Sequence, residues 1–338
     1  MHQATTHLAG LALAALVGLA QPAAAQGVAA PSGADRTPAI VAAADAFLAT
    51  LDEGGREAVL FDWIDDAQRA RWSNLPARSF ERAGLRWGDL SEPQRQALTD
   101  LLGTVLSPEG LAMVREQMLA TELLNGRGSD YYVSFVGEPS ATSPWMLQFG
   151  GHHLGINATV AGPDVTLAPS LTGGQPVRFT HEGEAIDIVA DEVAAARALV
   201  ASLDGAQRAQ AVRSEARADL VLGPGEDGRR IETEGLLGRD MTGEQRRLLL
   251  ALVEARLDVL NAEDLAAAMA PVEANLDATA FALYGPADDP ASAYWRVTGP
   301  TVVVEYAPQG RGEDASQHLH NVYRDPTNDY GAAWVPQG

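Results

Sequence analysis

The 338-residue chain contains no cysteine. Disulfides, thiolate nucleophiles and thiolate metal sites are therefore excluded. Any soft-metal site must use histidine, carboxylate, methionine or amide groups. Lysine is absent too, since all 24 basic residues are arginine. That removes Schiff-base chemistry and the lysine of a phosphate-binding loop. With 45 acidic residues the net charge is −21. Such a surface repels nucleic acid and anionic membrane, so no nucleic-acid partner is expected, and the acidity by itself serves solubility. There is no G-x-S-x-G elbow and no H-E-x-x-H. Residues 223–228 match G-x-G-x-x-G, but no strand–helix frame surrounds them, and Glu226 and Asp227 would repel a pyrophosphate.

Long apolar runs are also missing, with one exception. Residues 8–20 (LAGLALAALVGLA) are almost wholly apolar, and a small-residue cleavage pattern ends near Ala25. Residues 1–25 read as a secretory signal peptide, although the leading segment carries histidine instead of lysine or arginine. The run is short for a membrane anchor. The expectation is an exported protein, periplasmic or extracellular, with no stable membrane insertion after cleavage. Residues 26–37 read as a polar linker, and 38–338 as one domain.

From Pro38, apolar residues recur at helical spacing (Ile40, Ala44, Phe47, Leu48, Leu51), and Glu53-Gly54-Gly55 reads as a stop. Leu60, Phe61 and Ile64 suggest a second helical segment. Ser91 reads as an N-cap before Leu98, Leu101, Leu102 and Val105. Thr242 opens a similar helix, with Leu249, Leu252 and Val253 following, and Asp204 a weaker one. After the two stronger starts come regions of one form: a short strand, Gly, a turn, Trp, Gly and another strand. This predicts an α+β fold of two pseudo-repeats, near 90–160 and 240–306, each with helices packed on antiparallel hairpins.

Five histidines follow the signal segment, and four of them form two pairs. His318-Leu319-His320 on a strand puts both imidazoles on one face, a two-ligand arrangement suited to zinc or copper. His152 and His153 follow Gly150-Gly151 at what reads as the start of a strand. There they point to opposite faces: His152 nearer the core with Leu154 and Ile156, His153 on a polar face where Gly155 leaves space. A bulge at Gly150-Gly151 would aim both inward. In the second half Glu305 falls near the place of Asn157, with Val302, Val304 and Tyr306 facing the core. It is a candidate fourth ligand or general base. Residues 321–331 (NVYRDPTNDYG) are dense in polar groups. Arg324 is a candidate clamp for a small anionic substrate, and Asp325 or Asp329 a candidate partner for a ligand histidine. Lone His181 reads as a surface residue, and Trp63, Trp72 and Trp87 as core anchors.

Several motifs together resemble the uncharacterised family known as domain of unknown function 3500 (DUF3500). They are W-S-N-L-P (72–76), P-W-x-x-Q-F-G-G-H-H-L-x-x-N (144–157), G-P-G-x-D (223–227), W-x-x-x-G-P with Glu305, and H-x-H-x-x-x-R-D-P-x-N-D-Y-G (318–331). The resemblance spans about 40–331. It implies an exported, single-domain protein and no established activity. Trp295 departs from the family's pattern, which has a second tyrosine after the one at Tyr294.

These readings converge on an exported metalloprotein, a metal-dependent hydrolase or oxidoreductase, with His152, His153, His318 and His320 as candidate ligands. The rival is a non-catalytic metal-handling or partner-binding protein. The two differ in whether a carboxylate and Arg324 stand beside the histidines.

Overall fold

The computed structural model describes residues 33–310 and 314–334. The signal-peptide reading of residues 1–25 lies outside them. The chain opens with helices α1 (Gly33–Ala49) and α2 (Glu53–Val59), strand β1 (Leu60–Phe61), helix α3 (Asp66–Arg69) and strand β2 (Leu85–Arg86). Helices α4 (Glu92–Val105) and α5 (Pro108–Asn125) lead into strands β3 (Tyr132–Val136), β4 (Trp145–Gly151) and β5 (Leu154–Ala161). Strands β6 (Asp164–Thr166), β7 (Ser170–Gly174), β8 (Arg178–His181) and β9 (Glu184–Asp187) follow. Then come helices α6 (Ala190–Ser202) and α7 (Gly205–Ala211) and strands β10 (Val212–Ser214) and β11 (Leu236–Leu237). The last part holds α8 (Gly243–Leu257), α9 (Ala262–Ala274), β12 (Ala280–Tyr284), β13 (Tyr294–Thr298), β14 (Val303–Pro308) and β15 (Leu319–Arg324).

The N-cap signals hold. Ser91 and Gln94 form a capping box at α4, as do Thr242 and Gln245 at α8 and Asp204 and Gln207 at α7. The opening differs from expectation. Helix α1 begins at Gly33 and carries Pro38 inside it. Tertiary bonds fix this leading turn: Arg36 pairs with Asp264 at 2.9 Å, and the Thr37 hydroxyl donates to the Gly162 carbonyl at 2.6 Å. Asp52 caps α2, so Gly54 and Gly55 start a helix as well as following one. Leu60 and Phe61 form a strand instead of a helix, because they pair in parallel with Phe135 and Val136. Ile64 is exposed.

Among the described residues thirteen strands join one sheet, with its main path in the order β1-β3-β4-β5-β7-β15-β14-β13-β12-β10. The architecture is α+β, and its halves share an element order. In each, a short strand pairs in parallel with the first strand of a three-stranded meander, and a second short strand pairs antiparallel with it. Gln148 lies opposite Asn157 in the first meander, and Arg296 opposite Glu305 in the second. The recurrence matches segments 90–160 and 240–306 in topology; duplication of sequence is not thereby demonstrated.

Strand alternation gives the sheet two distinct faces. One faces the helices: Phe47 of α1 stacks on Phe135, the Thr121 hydroxyl of α5 meets that of Tyr131, and Arg256 of α8 donates to Ser170. Val304 and Tyr306 lie on this side, as expected, in the main apolar core. The other face carries Gln148, Asn157, Leu171, Glu305, His320, Val322 and Arg324. Helix α3, whose Gln68 donates to Gln148, and irregular segments cover it. Trp72, Leu171 and Val322 form a small apolar cluster there, with Leu220 and Tyr330 packed against it. No helix among the described residues is long and apolar enough to cross a membrane.

Candidate metal centre

The histidines sit in a turn and on a strand. His152 and His153 are not strand residues: they are the two-residue loop between β4 and β5, with Gly151 paired to Leu154. The expected alternation of faces therefore does not apply, and the register shows no bulge. His153 has φ of +64°, a conformation that non-glycine residues adopt at some cost. A positive φ at the second loop position alone fits a type II turn. The two rings stack with centroids 3.7 Å apart. Burial is also reversed from expectation: His153 is only 1% exposed, while His152 is half-buried. Gly151 is required here, because a Cβ would fall 2.7 Å from the Tyr131 ring. The Tyr131 hydroxyl in turn donates to the His152 carbonyl at 2.9 Å.

His318 and His320 arrive on the expected common face. His318 is in extended conformation just before β15, and His320 pairs across to Gly173 and Ala307. The nitrogen His153 Nε2 lies 3.0 Å from His318 Nε2, and the His153 and His320 ring centroids are 5.3 Å apart. One ring nitrogen from each of His153, His318 and His320 falls within 4.8 Å of the others. Metal–nitrogen bonds of about 2.0–2.1 Å put tetrahedral ligand nitrogens roughly 3.3 Å apart. The His153–His318 spacing is close to that, and a His320 nitrogen lies within 4.8 Å of both. His153 Nδ1 is buried without a hydrogen-bond partner.

Burial favours the neutral form of His152, His153 and His320. Desolvation, aided by the neighbouring imidazoles, lowers His320 to about 3 and His153 well below its usual value. His152 falls to about 4 through desolvation, then the nearby charges of His318 and Arg82. Neutral rings offer lone pairs, which is the state a metal ion needs.

The loop from Trp72 to Pro76 closes over the cluster. The Asn74 side-chain amide lies 3.0 Å from His320 Nε2, and the Asn74 carbonyl accepts from the His153 backbone N–H at 3.1 Å. Arg82 laces this loop to the hairpin, donating to the carbonyls of Ser73, Leu75 and Gly151. Trp72 lies beneath, and a Cβ on Gly155 would meet its ring at 2.7 Å. The space expected beside Gly155 is thus filled by Trp72. Asn74 is not among the candidate residues drawn from the sequence. Its signal was its place in W-S-N-L-P, one of the motifs grouped with the histidine stretches.

The other candidates lie elsewhere in the bonding scheme. Glu305 is fully buried and accepts from the Val221 and Leu222 backbone N–H groups and the Tyr294 hydroxyl. It anchors the segment before β11 and stands in no metal-ligand group with the histidines. Arg324 donates to the carbonyls of Leu222 and Gly223 and pairs with Asp227 and Asp329, so its donors are already engaged. Asp325 accepts from the Thr327 N–H and hydroxyl, and Asp329 from the Asp325 N–H. Both carboxylates serve their own turn and Arg324, not a histidine. Desolvation raises Asp329 to about 6. His181 ends β8, partly exposed near Glu182.

No curated protein and no solved structure matches this chain. A family model described as "Protein of unknown function (DUF3500)" matches residues 33–332. The strand bearing His318 and His320, the hairpin bearing His153 and the loop bearing Asn74 all fall inside that match, and the chain belongs to the DUF3500 family.

Proposed function

We propose that this is an exported metalloprotein in which His153, His318 and His320 hold one transition-metal ion, zinc or copper. The observation that carries the reading is the meeting of three imidazoles from segments 165 positions apart, within 4.8 Å and with no carboxylate in the group. Convergent imidazole nitrogens with no carboxylate among them are a donor set that zinc and copper take, and the neutral state of His153 and His320 leaves lone pairs for the ion. Three nitrogen donors leave a coordination position for a further ligand. The ion would supply Lewis-acid polarisation if zinc, or one-electron exchange if copper. His152 stacks on His153 and shields it.

A second reading has its own support. Glu305, Asp325 and Asp329 are committed to structural bonds, so no candidate carboxylate stands ready as a general base beside the histidines. That favours a non-catalytic metal-handling or partner-binding protein over a hydrolase or oxidoreductase.

Elemental analysis of protein purified from its native compartment tests the site. The expected result is about one equivalent of zinc or copper per chain, absent from a His318→Ala/His320→Ala variant that keeps its fold. Equal metal in both would sink the assignment. Azide binding to the copper-loaded protein, read by its visible charge-transfer band, separates an open site from a closed carrier.

A further inference from the structure

Away from the histidines, on the same covered face, lies a cavity of about 590 Å³. Its size is that of small-molecule sites, commonly about 300–1,000 Å³. Its lining is anomalous for this chain. The whole protein has 24 arginines against 45 acidic residues, yet Arg229, Arg230, Arg239 and Arg324 line this cavity with Asp329 as the single carboxylate. Arg229 pairs with Glu226, and Arg324 with Asp227 and Asp329. Arg230 and Arg239 make no side-chain hydrogen bond or ion pair among the described residues. Both are exposed, so on a surface rich in acid these two guanidinium groups at one cavity remain open to an external anion.

The rest of the lining is largely apolar, including Ile231, Leu237 and Val303. Cationic rim and apolar wall match an anion with a hydrocarbon body.

We propose that this cavity binds a small amphipathic organic carboxylate. Arg230 and Arg239 take the head group through the planar, bidentate geometry that guanidinium offers a carboxylate. The hydrocarbon part lies against Ile231, Leu237 and Val303. The anion-binding role expected of Arg324 passes to these two arginines, because the Arg324 donors hold the chain together. The cavity shares no lining residue with the histidine group, so the proposal stands independently of the metal.

Isothermal titration calorimetry with octanoate, octan-1-ol and inorganic phosphate tests it. Octanoate is expected to bind one site, with octan-1-ol and phosphate each weaker by about tenfold or more. An Arg230→Gln/Arg239→Gln variant alters exposed, unpaired side chains and is expected to unfold at the wild-type temperature with unchanged metal content. It should lose about tenfold or more of octanoate affinity while its octan-1-ol binding stays as it was. No octanoate binding up to millimolar concentration overturns the proposal. So does octanoate binding that the double variant leaves intact, or phosphate binding as tight as octanoate.

Discussion

Asn74 is the residue on which the histidine group turns. Its side chain fixes the His320 ring, and its carbonyl fixes the His153 backbone. Groups that orient a ligand histidine through a hydrogen bond typically set metal affinity by 10–100-fold. Asn74→Ala is therefore expected to weaken zinc or copper binding by about that range in a chelator competition, with only a small change in thermal midpoint. Unchanged affinity would mean that the rings are held by packing alone. At this scale the sequence was partly legible. His-x-His puts two rings on one face because strand alternation is a local rule, and it held for His318 and His320. The His152-His153 assignment failed because a two-residue turn and a strand start look alike after Gly-Gly. The left-handed φ of His153 is set by hairpin closure, and nothing in the local pattern encodes it. Glu305 was placed on the correct side of its strand, but alternation cannot say that Val221 and Leu222 would occupy its oxygens.

Between elements, the contact of α6 and α8 with the middle of the sheet holds a buried polar group. Arg256, 1% exposed, donates to Ser170 and to the Asn321 carbonyl, and Asn321 donates to Glu192 at 3.3 Å. Desolvation raises Glu192 to about 7 despite the lowering effects of its own backbone N–H and of Arg256. The folded state then binds the proton more tightly than the unfolded chain. The stability from this group is complete below the ordinary carboxylate range and is lost as pH rises through about 7. The buried histidines act in the opposite sense, since their lowered values remove stability as pH falls below about 6.5. A difference measurement isolates the carboxyl. Glu192→Gln is expected to match wild type near pH 4.5 and to exceed it by on the order of 2 kcal/mol at pH 8, by urea denaturation. A constant difference across that range would show that Glu192 is not the titrating group. Helix starts were legible here because caps are written in four consecutive residues. Strand pairing was not. The position of β15 between β7 and β14 joins residues far apart in sequence, and no local pattern specifies it.

At the scale of the molecule, the proposed ion would tie the first meander to the strand that joins both halves. A ligand that binds only the folded state stabilises it by about 2.7 kcal/mol at a hundredfold excess over its dissociation constant. Zinc or copper is expected to raise the thermal midpoint of metal-free wild type by several degrees and to leave the His318→Ala/His320→Ala variant unmoved. An equal rise in both would place the ion elsewhere. The large negative charge reads, from composition, against a nucleic-acid partner. Composition could not reveal that two unpaired arginines gather at one cavity, because the segment carrying them acquires its position only by packing on the sheet.

The placement of β15 has a consequence in time. His318 and His320, just before and at its start, are among the last of the described residues to leave the ribosome, whereas His153 emerges about halfway along the chain. Until β15 threads between β7 and β14, both those strands keep open edges, and the ligand set is one-third complete. Capture of the proposed ion would then follow insertion of this strand, and the compartment that loads the protein would be the one in which folding finishes.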